Sequence, residues 1–496
     1  MFSRAFETKY ADVAVIGAGV LGCFAARALT QTELSVLVLE AREDVCTGIT
    51  KANTGIVYTG CDTKPGTRKT ELCVRANRDF DRLCRELDVR FSRPGSLMLA
   101  FGPGAEAVLR RKLENGRQNG VPGLRLLTRE ETLEREPRLS PGVTMSLFAP
   151  GTGTVDPWEL GIAACENAAA NGAEFRFGEE VLRMERRDGG YLLETAGGRY
   201  SARAVVNCAG LNAAAVREYT KTPAVRIFPT AGDYLVLDDS AAGFVRHIVF
   251  HEPEDKGKGL TLVPTVDGNL LIGPTERGRD AAPDWATSAA GLRELQDLCR
   301  AVVPELPLEK TIRSFSALRP NPFHVREEDG VWVPEDRSIS NFTLMAEDGL
   351  FSLIGVKTPG LTCAWELGKW AAREVCAYLG DPGPNPRFDP IRKAIPRLRD
   401  LGEAERSALI ERDPDYGEVL CPCREVTRGQ VLEAIRRGAV TLDGVKRRTG
   451  AGMGVCQGGR CLLPILELLA AETGKAPALV TKDGGTSYMV NTDGTV

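Results

Sequence analysis

The clearest pattern of apolar and polar positions lies in the first ninety residues. The mostly apolar, β-branched run Asp12–Ile16 leads into a glycine-rich turn, and an alanine-rich apolar stretch follows up to Leu29. A second buried run, Ser35–Leu39, is closed by Glu40. Short continuous apolar runs are typical of strands buried on both faces, and the alanine-rich stretch favours a helix packed on them. The pattern therefore predicts a β-strand, α-helix, β-strand unit rather than a membrane span.

The turn inside this unit has the spacing Gly17-x-Gly19-x-x-Gly22. Gly17 would permit the tight turn, Gly19 would let the backbone approach a pyrophosphate, and Gly22 would allow close packing of helix on strand. Free N–H groups at the helix N-terminus would face the phosphates. Glu40 would accept hydrogen bonds from ribose hydroxyls and would repel a 2′-phosphate, which disfavours NADP. These features predict a site for FAD or NAD, against the simpler interpretation of a glycine-rich turn.

Two later runs, Ala204–Gly210 and Phe351–Gly355, have the character of further buried strands, which are either nucleotide contacts or ordinary parallel strands. Between them the chain alternates in polarity, as in Asn269–Ile272, which predicts a mainly antiparallel sheet. The expected fold is α/β, with a discontinuous Rossmann-type FAD-binding domain, an interleaved substrate domain and a small C-terminal helical domain. Its predicted boundaries are FAD-binding segments at about 1–90, 146–220 and 340–380, substrate segments at about 91–145 and 221–339, a linker at 381–417, a [2Fe-2S] domain at 418–475 and a tail at 476–496.

Four cysteines stand close together behind the proline-rich run 380–386, which marks the boundary before the C-terminal domain. They are Cys421-x-Cys423 and, after thirty-two residues, Cys456-x4-Cys461. Four thiolates can hold an iron-sulfur cluster, and the glycines around them would let backbone N–H groups approach the sulfurs. The alternatives are a zinc site, which usually has wider Cys-x2-Cys pairs, and four unrelated thiols.

Composition narrows the class of protein. The 496 residues are 43% apolar and 26% charged, as in ordinary globular proteins, and the net charge of −4 gives no reason to expect nucleic-acid binding. No targeting or transmembrane segment is recognisable. Fourteen cysteines without a secretory signal indicate a reducing compartment. We expect a cytoplasmic protein, either free or peripheral on the cytoplasmic membrane.

Several further motifs run in a characteristic order along nearly the whole chain. They are Asn53-Thr54-Gly55-Ile56-Val57, Lys64-Pro65-Gly66-Thr67, Lys256-Gly257-Lys258-Gly259, Pro264-Thr265-Val266-Asp267-Gly268-Asn269, Gly273-Pro274-Thr275, Phe315-Ser316-Ala317-Leu318-Arg319-Pro320 and Pro359-Gly360-Leu361-Thr362. With these motifs the chain resembles the glycine/D-amino-acid oxidase superfamily, and within it the FAD-dependent glycerol-3-phosphate dehydrogenases of the anaerobic type. L-2-hydroxyglutarate dehydrogenases are close relatives. The cysteine-containing segment resembles the bacterioferritin-associated-ferredoxin-like [2Fe-2S] domain that follows the flavin domain in such enzymes.

The resemblance implies FAD, held without a covalent bond, and a [2Fe-2S] cluster on the four cysteines. It places the turn around Asn53 to Ile56 beside the isoalloxazine, Val181 at the adenine, and Gly360 to Thr362 at the pyrimidine end of the flavin. The predicted FAD-binding residues are Gly17, Gly19, Gly22, Glu40, Asn53, Thr54, Gly55, Ile56, Val181, Ala209, Gly210, Gly355, Gly360, Leu361 and Thr362.

An anionic substrate needs fixed cations, and the relatives place an arginine at the position of Arg319. Lys357 is a second candidate. Oxidation of an alcohol also needs a base, for which His251 is preferred among the three histidines. Related enzymes commonly carry a histidine where this chain has Tyr58, so Tyr58 or another group would replace it.

The expected reaction is oxidation of glycerol 3-phosphate to dihydroxyacetone phosphate, with electrons passed through the cluster to a partner protein, a membrane-anchoring subunit or a quinone pool. Because Arg319 would serve a carboxylate as readily, a dehydrogenase acting on a 2-hydroxy acid such as L-2-hydroxyglutarate, an amino acid or an opine is the first alternative. An electron-relay subunit of a larger complex is the second.

Overall fold

The computed structural model describes residues 8–251, 259–277 and 285–490. The motif residues Lys256 to Lys258 lie outside this part of the chain. Its strands are β1 (Thr8–Ile16), β2 (Val36–Glu40), β3 (Ile56–Val57), β4 (Phe91–Ser92), β5 (Ser96–Ala100), β6 (Arg125–Thr128), β7 (Met145–Ala149), β8 (Gly153–Val155), β9 (Glu174–Phe177), β10 (Arg183–Arg187), β11 (Gly190–Glu194), β12 (Arg199–Asn207), β13 (Val225–Ile227), β14 (Thr230–Leu237), β15 (Ile248–His251), β16 (Leu260–Pro264), β17 (Leu270–Ile272), β18 (Thr311–Arg319), β19 (Pro322–Glu328), β20 (Val331–Pro334), β21 (Thr343–Glu347), β22 (Leu350–Ile354), β23 (Val419–Cys421) and β24 (Val426–Thr427).

The helices alternate with these strands over most of the chain. They are α1 (Val20–Leu29), α2 (Arg68–Glu86), α3 (Pro103–Gln118), α4 (Arg129–Arg135), α5 (Pro157–Ala170), α6 (Ala213–Glu218), α7 (Ala289–Val302), α8 (Gly360–Leu379), α9 (Glu403–Arg412), α10 (Arg428–Arg436), α11 (Leu442–Thr449) and α12 (Leu462–Thr473). Among the described residues, none of these helices is long and apolar enough to cross a membrane.

The main sheet has the strand order β10-β11-β12-β1-β2-β9, and β22 joins it beside the second half of β12. Strands β2, β1, β12 and β22 are parallel, which confirms the predicted Rossmann-type unit. Their runs are apolar throughout because helices α1, α5 and α8 cover one face, with Phe24, Leu160 and Leu367 in the shared core. The carboxyl ends of these strands lie together at one edge, where ligands of such sheets bind.

The second large sheet has the order β18-β14-β17-β16-β15-β5-β7-β6. All its neighbouring strands are antiparallel except β5 and β15. One face packs on α7 around Leu295 and Val302, and the strands come from both predicted substrate segments. The observed fold is therefore mixed α/β with a mainly antiparallel second sheet, as predicted.

The predicted linker lies along the first module. Arg392 donates from Nε to Oε2 of Glu166 at 2.7 Å, and the backbone N–H of Asn385 donates to the carbonyl of Gln31 at 2.8 Å. Helix α9 lies within this segment. Hydrogen bonds and ion pairs thus attach residues 381–417 to the sheet side of the molecule.

The C-terminal region contains β23, β24 and α10 to α12 around their own apolar core. Thr427 caps α10 by accepting from the N–H of Gln430, as the sequence predicted. The predicted apolar face of the last helix is wrong at Leu463, which is 60% exposed. Helix α12 buries Ile465, Leu466 and Leu469 instead, because Leu463 lies at the edge of that stripe.

Candidate functional site

A cavity of about 1310 Å³ lies between the carboxyl edge of the main sheet and the second sheet. This volume exceeds the roughly 300–1,000 Å³ of ordinary small-ligand pockets. The predicted residues that line it are Gly17, Gly19, Glu40, Asn53, Thr54, Ile56, Tyr58, Val181, Ala209, Gly210, His251, Arg319, Lys357, Gly360 and Leu361. The fold thus brings residues that are more than 300 positions apart in sequence to one ligand site.

At one end the glycine-rich turn follows β1. Gly17 has a φ of +94°, and a Cβ there would lie 2.7 Å from the carbonyl oxygen of Cys208 on the neighbouring strand. A Cβ on Gly22 would lie 1.8 Å from the carbonyl oxygen of Gly17, so helix and turn could not pack as they do. Gly19 has only the Thr50 hydroxyl nearby, at 3.4 Å from such a Cβ, and its surface faces the cavity. The three glycines therefore perform the separate roles predicted for them.

Glu40 holds this turn through both carboxylate oxygens. Oε2 accepts from the N–H of Ala18 at 2.6 Å, and Oε1 accepts from the N–H of Arg42 at 2.9 Å. Burial raises the pKa of Glu40 despite these hydrogen bonds. Farther along the same wall, the carbonyl of Val181 accepts from the Tyr219 hydroxyl at 3.2 Å.

Thr50 is a site residue that the sequence analysis missed. Its Oγ1 accepts from the N–H of Val20 at 3.1 Å, in the first turn of α1, where the N-cap Gly19 has no side chain to do so. Thr50 is separated from the glycine turn by thirty residues and belongs to no recognised spacing, so only the fold reveals this contact.

The turn Asn53–Ile56 forms the middle of the cavity wall. Asn53 accepts at Oδ1 from the N–H of Gly55 at 2.8 Å and donates from Nδ2 to the carbonyl of Thr50 at 2.9 Å. Thr362 joins this wall to α8, because its hydroxyl accepts from the N–H of Tyr58 at 3.0 Å and contacts the carbonyl of Ile56 at 3.3 Å.

Four predicted cofactor residues stand behind the lining. Gly22, Gly55, Gly355 and Thr362 do not line the cavity but hold the backbone that does. Gly55 and Gly355 have φ of +66° and +61°, and a Cβ on either would lie within 2.5 Å of a neighbouring residue. Their role in the structure is to allow close backbone approach.

The lining fits FAD. Helix α8 begins at Gly360 with no side-chain cap, so its first N–H groups face the cavity, as do those near Gly19 in α1. Two helix N-termini suit an anionic, acceptor-rich cofactor. Gly48 and Gly210 add lining without side chains, where a Cβ would meet nothing closer than 3.8 Å. The long shape implied by the lining residues, from Val181 to Leu361, requires an extended ligand.

The far wall of the cavity carries cations. The side chain of Arg319 is 11% exposed; its Nη2 donates to the carbonyl of Thr275 at 2.9 Å, and its Nη1 lies 3.6 Å from Oε1 of Glu276. Lys357 donates from Nζ to Oδ1 of Asn321 at 2.9 Å. Burial lowers the pKa of Lys357, and the positive charges of Lys69 and Arg319 lower it further, partly opposed by Glu276.

Lys69 is the cation that the sequence analysis did not single out. It lies in the first turn of α2, two residues after the N-cap Thr67, and its Nζ donates to the carbonyl of Ser340 at 3.2 Å. Burial also lowers its pKa. The motif Lys64-Pro65-Gly66-Thr67 stands directly before it, and this proximity was the available signal. Together, Lys69, Lys357 and Arg319 make this wall suited to an anion.

Tyr58 and His251 both line the cavity. Burial raises the pKa of the Tyr58 hydroxyl, and the nearby Asp62 raises it further. His251 ends β15 and meets the Phe101 ring edge-on at 4.9 Å between centroids. Of the other histidines, His247 contacts Oε1 of Glu136 through Nδ1 at 2.7 Å and His324 is exposed, and neither lines the cavity.

The four C-terminal cysteines come together as two pairs. Cys423 and Cys456 have their sulfurs 3.2 Å apart, and both are partly exposed. Cys421 and Cys461 are buried, and a hydrogen bond from Cys461 is the main cause that lowers the pKa of Cys421 to about 6. Within the described ranges, no three His, Cys, Asp or Glu side chains are grouped as a site for one metal ion would require. A two-by-two arrangement fits two iron ions better than one tetrahedral zinc.

Comparisons with known proteins agree with both sites. A model of the FAD dependent oxidoreductase family matches residues 12–374, and a model of the BFD-like [2Fe-2S] binding domain matches residues 419–471. The chain is 37% identical over 481 residues to a glycerol 3-phosphate dehydrogenase of Caloramator mitchellensis, covering 97% of this chain and 98% of that protein. It is 30% identical to the mitochondrial L-2-hydroxyglutarate dehydrogenase of Homo sapiens, over 55% of this chain and 62% of that protein.

Solved structures confirm the fold. The dithionite-reduced, FAD-bound L-alpha-glycerophosphate oxidase from Mycoplasma pneumoniae superposes with a TM-score of 0.70 at 23% identity, covering 78% of this chain and 99% of that chain. The FAD-complexed glycerol-3-phosphate dehydrogenase from Bacillus halodurans gives 0.66 at 19% identity, covering 94% and 92%. The family resemblance drawn from the sequence is thereby confirmed. The chain belongs to the FAD dependent oxidoreductase family and is an FAD-dependent oxidoreductase with a C-terminal BFD-like [2Fe-2S] binding domain.

Proposed function

We propose that this enzyme oxidises glycerol 3-phosphate to dihydroxyacetone phosphate. The observation that carries the proposal is the group of three cations on the cavity wall opposite the nucleotide turn, Lys69, Lys357 and Arg319. A phosphate monoester carries nearly two negative charges at neutral pH, and a cluster of this size matches it better than it matches one carboxylate. The full-length relative at 37% identity, itself a glycerol 3-phosphate dehydrogenase, supports the same substrate.

Bound FAD would supply the hydride acceptor, and a bound [2Fe-2S] cluster would supply a one-electron carrier. Gly17 to Gly19, Glu40, Asn53 and the N-terminus of α8 would hold the FAD. Cys421, Cys423, Cys456 and Cys461 would hold the cluster.

The substrate's phosphate would bind between Arg319 and the two lysines. Arg319 offers a planar pair of N–H donors, and Lys357 is oriented by Asn321. Because both lysines are half-buried against protein, their charges act through little water and orient the phosphate strongly.

His251 is the group that we assign to take the hydroxyl proton. Tyr58 is less suited, because burial and Asp62 raise its pKa and keep its hydroxyl protonated at neutral pH. The Tyr58 hydroxyl instead contacts Thr54 on the turn beside it and is available as a hydrogen-bond donor. His251 faces the same cavity, and an imidazole changes protonation near neutral pH.

Electrons would leave through the cluster to an electron-accepting protein, a membrane-anchoring subunit or a quinone pool. The cluster domain supports this exit, since its one-electron chemistry is not needed for hydride uptake. The partial exposure of Cys423 and Cys456 gives the route a side that opens toward solvent. A cytoplasmic location, free or peripheral on the membrane, is part of the same proposal.

A 2-hydroxy acid such as L-2-hydroxyglutarate is the second candidate substrate, because an L-2-hydroxyglutarate dehydrogenase matches 55% of the chain at 30% identity. Arg319 would bind its carboxylate.

Anaerobic mixing separates the two candidates. Glycerol 3-phosphate should bleach the flavin absorbance of the purified protein, whereas L-2-hydroxyglutarate should not. Arg319→Leu should raise KM or abolish bleaching while FAD stays bound. Bleaching by a 2-hydroxy acid alone would overturn the assignment, and unchanged kinetics of the arginine variant would remove Arg319 from the site.

A further inference from the structure

The residue after the second cluster cysteine connects the two modules. Arg424 is only 6% exposed. Its Nη2 donates to Oδ1 of Asp267 at 2.8 Å, and its Nη1 lies 3.7 Å from Oδ2 of Asp239. Asp267 stands in the turn between β16 and β17, and Asp239 follows β14, so both carboxylates belong to the second sheet of the flavin module.

The same arginine packs against the cysteine loop. A Cβ on Gly454 would lie 2.6 Å from Cβ of Cys423 and 3.4 Å from Cγ of Arg424. The two loops that carry Cys423 and Cys456 are therefore in direct contact beside the guanidinium. Nε of Arg424 is buried and makes no hydrogen bond within the residues that the structure describes.

A second contact holds the loop in the same place. Arg313 of β18 donates from Nη1 to Oε1 of Gln457 at 3.2 Å, directly after Cys456. The pair Cys423 and Cys456 thus lies at the boundary between the modules, with Arg424 on the side of the flavin module.

Asp267 is shared between modules in charge as well as in position. It also accepts from Nη1 of Arg90 at 2.8 Å, and Arg399 of the connecting segment lies 4.0 Å away. The local charge therefore includes cations beyond the one that Arg424 contributes. Removing Asp267 would leave a positive surplus beside the cysteine loop, and removing Arg424 would leave the opposite.

We propose that Arg424 and Asp267 set the reduction potential of the [2Fe-2S] cluster, as residues that act on it through space. The inference rests on the proposed ligation by the four cysteines. Reduction adds one electron and therefore one negative charge to the cluster, so a buried cation beside a ligand stabilises the reduced form and raises the potential. Asp267 opposes this effect. The cluster reaches its working potential only while its domain is docked on the β16–β17 turn.

Full-length holoenzyme tests this by redox titration of the cluster, followed by electron paramagnetic resonance. Arg424→Gln should lower the midpoint potential, Asp267→Asn should raise it, and Arg424→Lys should stay closer to wild type than the glutamine variant does. Arg436→Gln is the matched control, since this exposed arginine of α10 pairs with Glu433 and should leave the potential unchanged. A merely structural contact would not shift the two main variants in opposite directions.

Iron content is measured first on each variant. If Arg424→Gln loses iron, Asp267→Asn and Arg424→Lys decide: a raised potential in the former and a wild-type-like value in the latter support the proposal. Unchanged potentials, or shifts of the same sign in Arg424→Gln and Asp267→Asn, would overturn it. A wild-type protein purified anaerobically without iron would overturn the ligand assignment itself, which is a separate result.

Discussion

Gly232 and Arg319 occupy the same small space on neighbouring strands. A Cβ on Gly232 would lie 2.6 Å from Nη2 of Arg319 and 2.5 Å from the carbonyl oxygen of Thr275, to which that nitrogen donates. Gly232 pairs with Ala317 across β14 and β18, two residues before the arginine. The missing side chain at position 232 is what lets the guanidinium lie against the sheet and present its edge to the cavity.

Gly232→Ala should therefore weaken substrate binding. The added methyl group clashes with backbone as well as with the guanidinium, and overpacking of this kind costs about 1–3 kcal/mol. A displacement that removes about 1.4 kcal/mol of binding would raise KM roughly tenfold. Steady-state kinetics and a thermal melt measure the two effects. Gly142→Ala is the control, because its Cβ would meet nothing closer than 3.5 Å; equal KM values for both variants would contradict the prediction.

The pH dependence of KM should depend on Lys69. Lys357 binds an anion only while protonated, and burial together with Lys69 and Arg319 lowers its pKa below the usual 10.5. KM should therefore rise as pH increases through that lowered pKa. Lys69→Met removes one of the causes, so the rise should move to higher pH.

Kinetics over the alkaline range test this shift. Lys64→Met is the control, since Lys64 also lines the cavity but does not contribute to the lowered pKa of Lys357. A profile that keeps its wild-type position in Lys69→Met would show that the two lysines are not coupled.

Glu40→Gln should loosen FAD. The carboxylate accepts two backbone hydrogen bonds, from Ala18 and Arg42, and an amide oxygen can replace only one of its two oxygens. A buried N–H left without a partner costs about 1–3 kcal/mol, equivalent to roughly 5- to 150-fold in Kd. Flavin fluorescence during dilution measures the release. Glu43→Gln, on the exposed loop nearby, should leave the Kd unchanged, and an unaltered Kd in Glu40→Gln would show that the turn does not need the charge.

Cys456→Ser should lose iron and retain flavin. Its sulfur lies 3.2 Å from that of Cys423, and a hydroxyl is a poorer ligand for iron than a thiolate. Iron analysis and the flavin spectrum are the measurements. Cys299→Ser, in the buried core of the second sheet, should keep its iron. Undiminished iron in Cys456→Ser would refute the ligand assignment.

Asp44→Asn should weaken docking of the C-terminal domain. Asp44 accepts from Arg447 at 3.0 Å and from Arg448 at 2.8 Å, and all three side chains are at most 5% exposed. Burial acts to raise the pKa of Asp44, but the two arginines outweigh it and hold the pKa below its usual value. Removing one member of a buried charge group costs about 3–5 kcal/mol, because the remaining charges lack a partner. Limited proteolysis between residues 380 and 420 should accelerate, while the exposed Asp381→Asn should not change it.

Local sequence patterns predicted much of this molecule. The glycine spacing after β1, the acidic end of β2 and the cysteine spacing were all readable, because each depends on residues that are close in the chain and on a backbone geometry that only certain residues permit. The family resemblance added the order of the later motifs, and with it the cofactors, Arg319 and Lys357.

The sequence by itself determined the fold class, the FAD and [2Fe-2S] cofactors and most of the residues around them. The tertiary structure decided which side chains meet: Thr50 with the N-terminus of α1, Lys69 with Lys357, Gly232 with Arg319 and Arg424 with Asp267. It also showed that Gly22, Gly55, Gly355 and Thr362 support the cavity wall from behind. These relationships join positions that are 30 to 300 residues apart, and their energies depend on distance and burial in space, which local patterning along a chain does not encode.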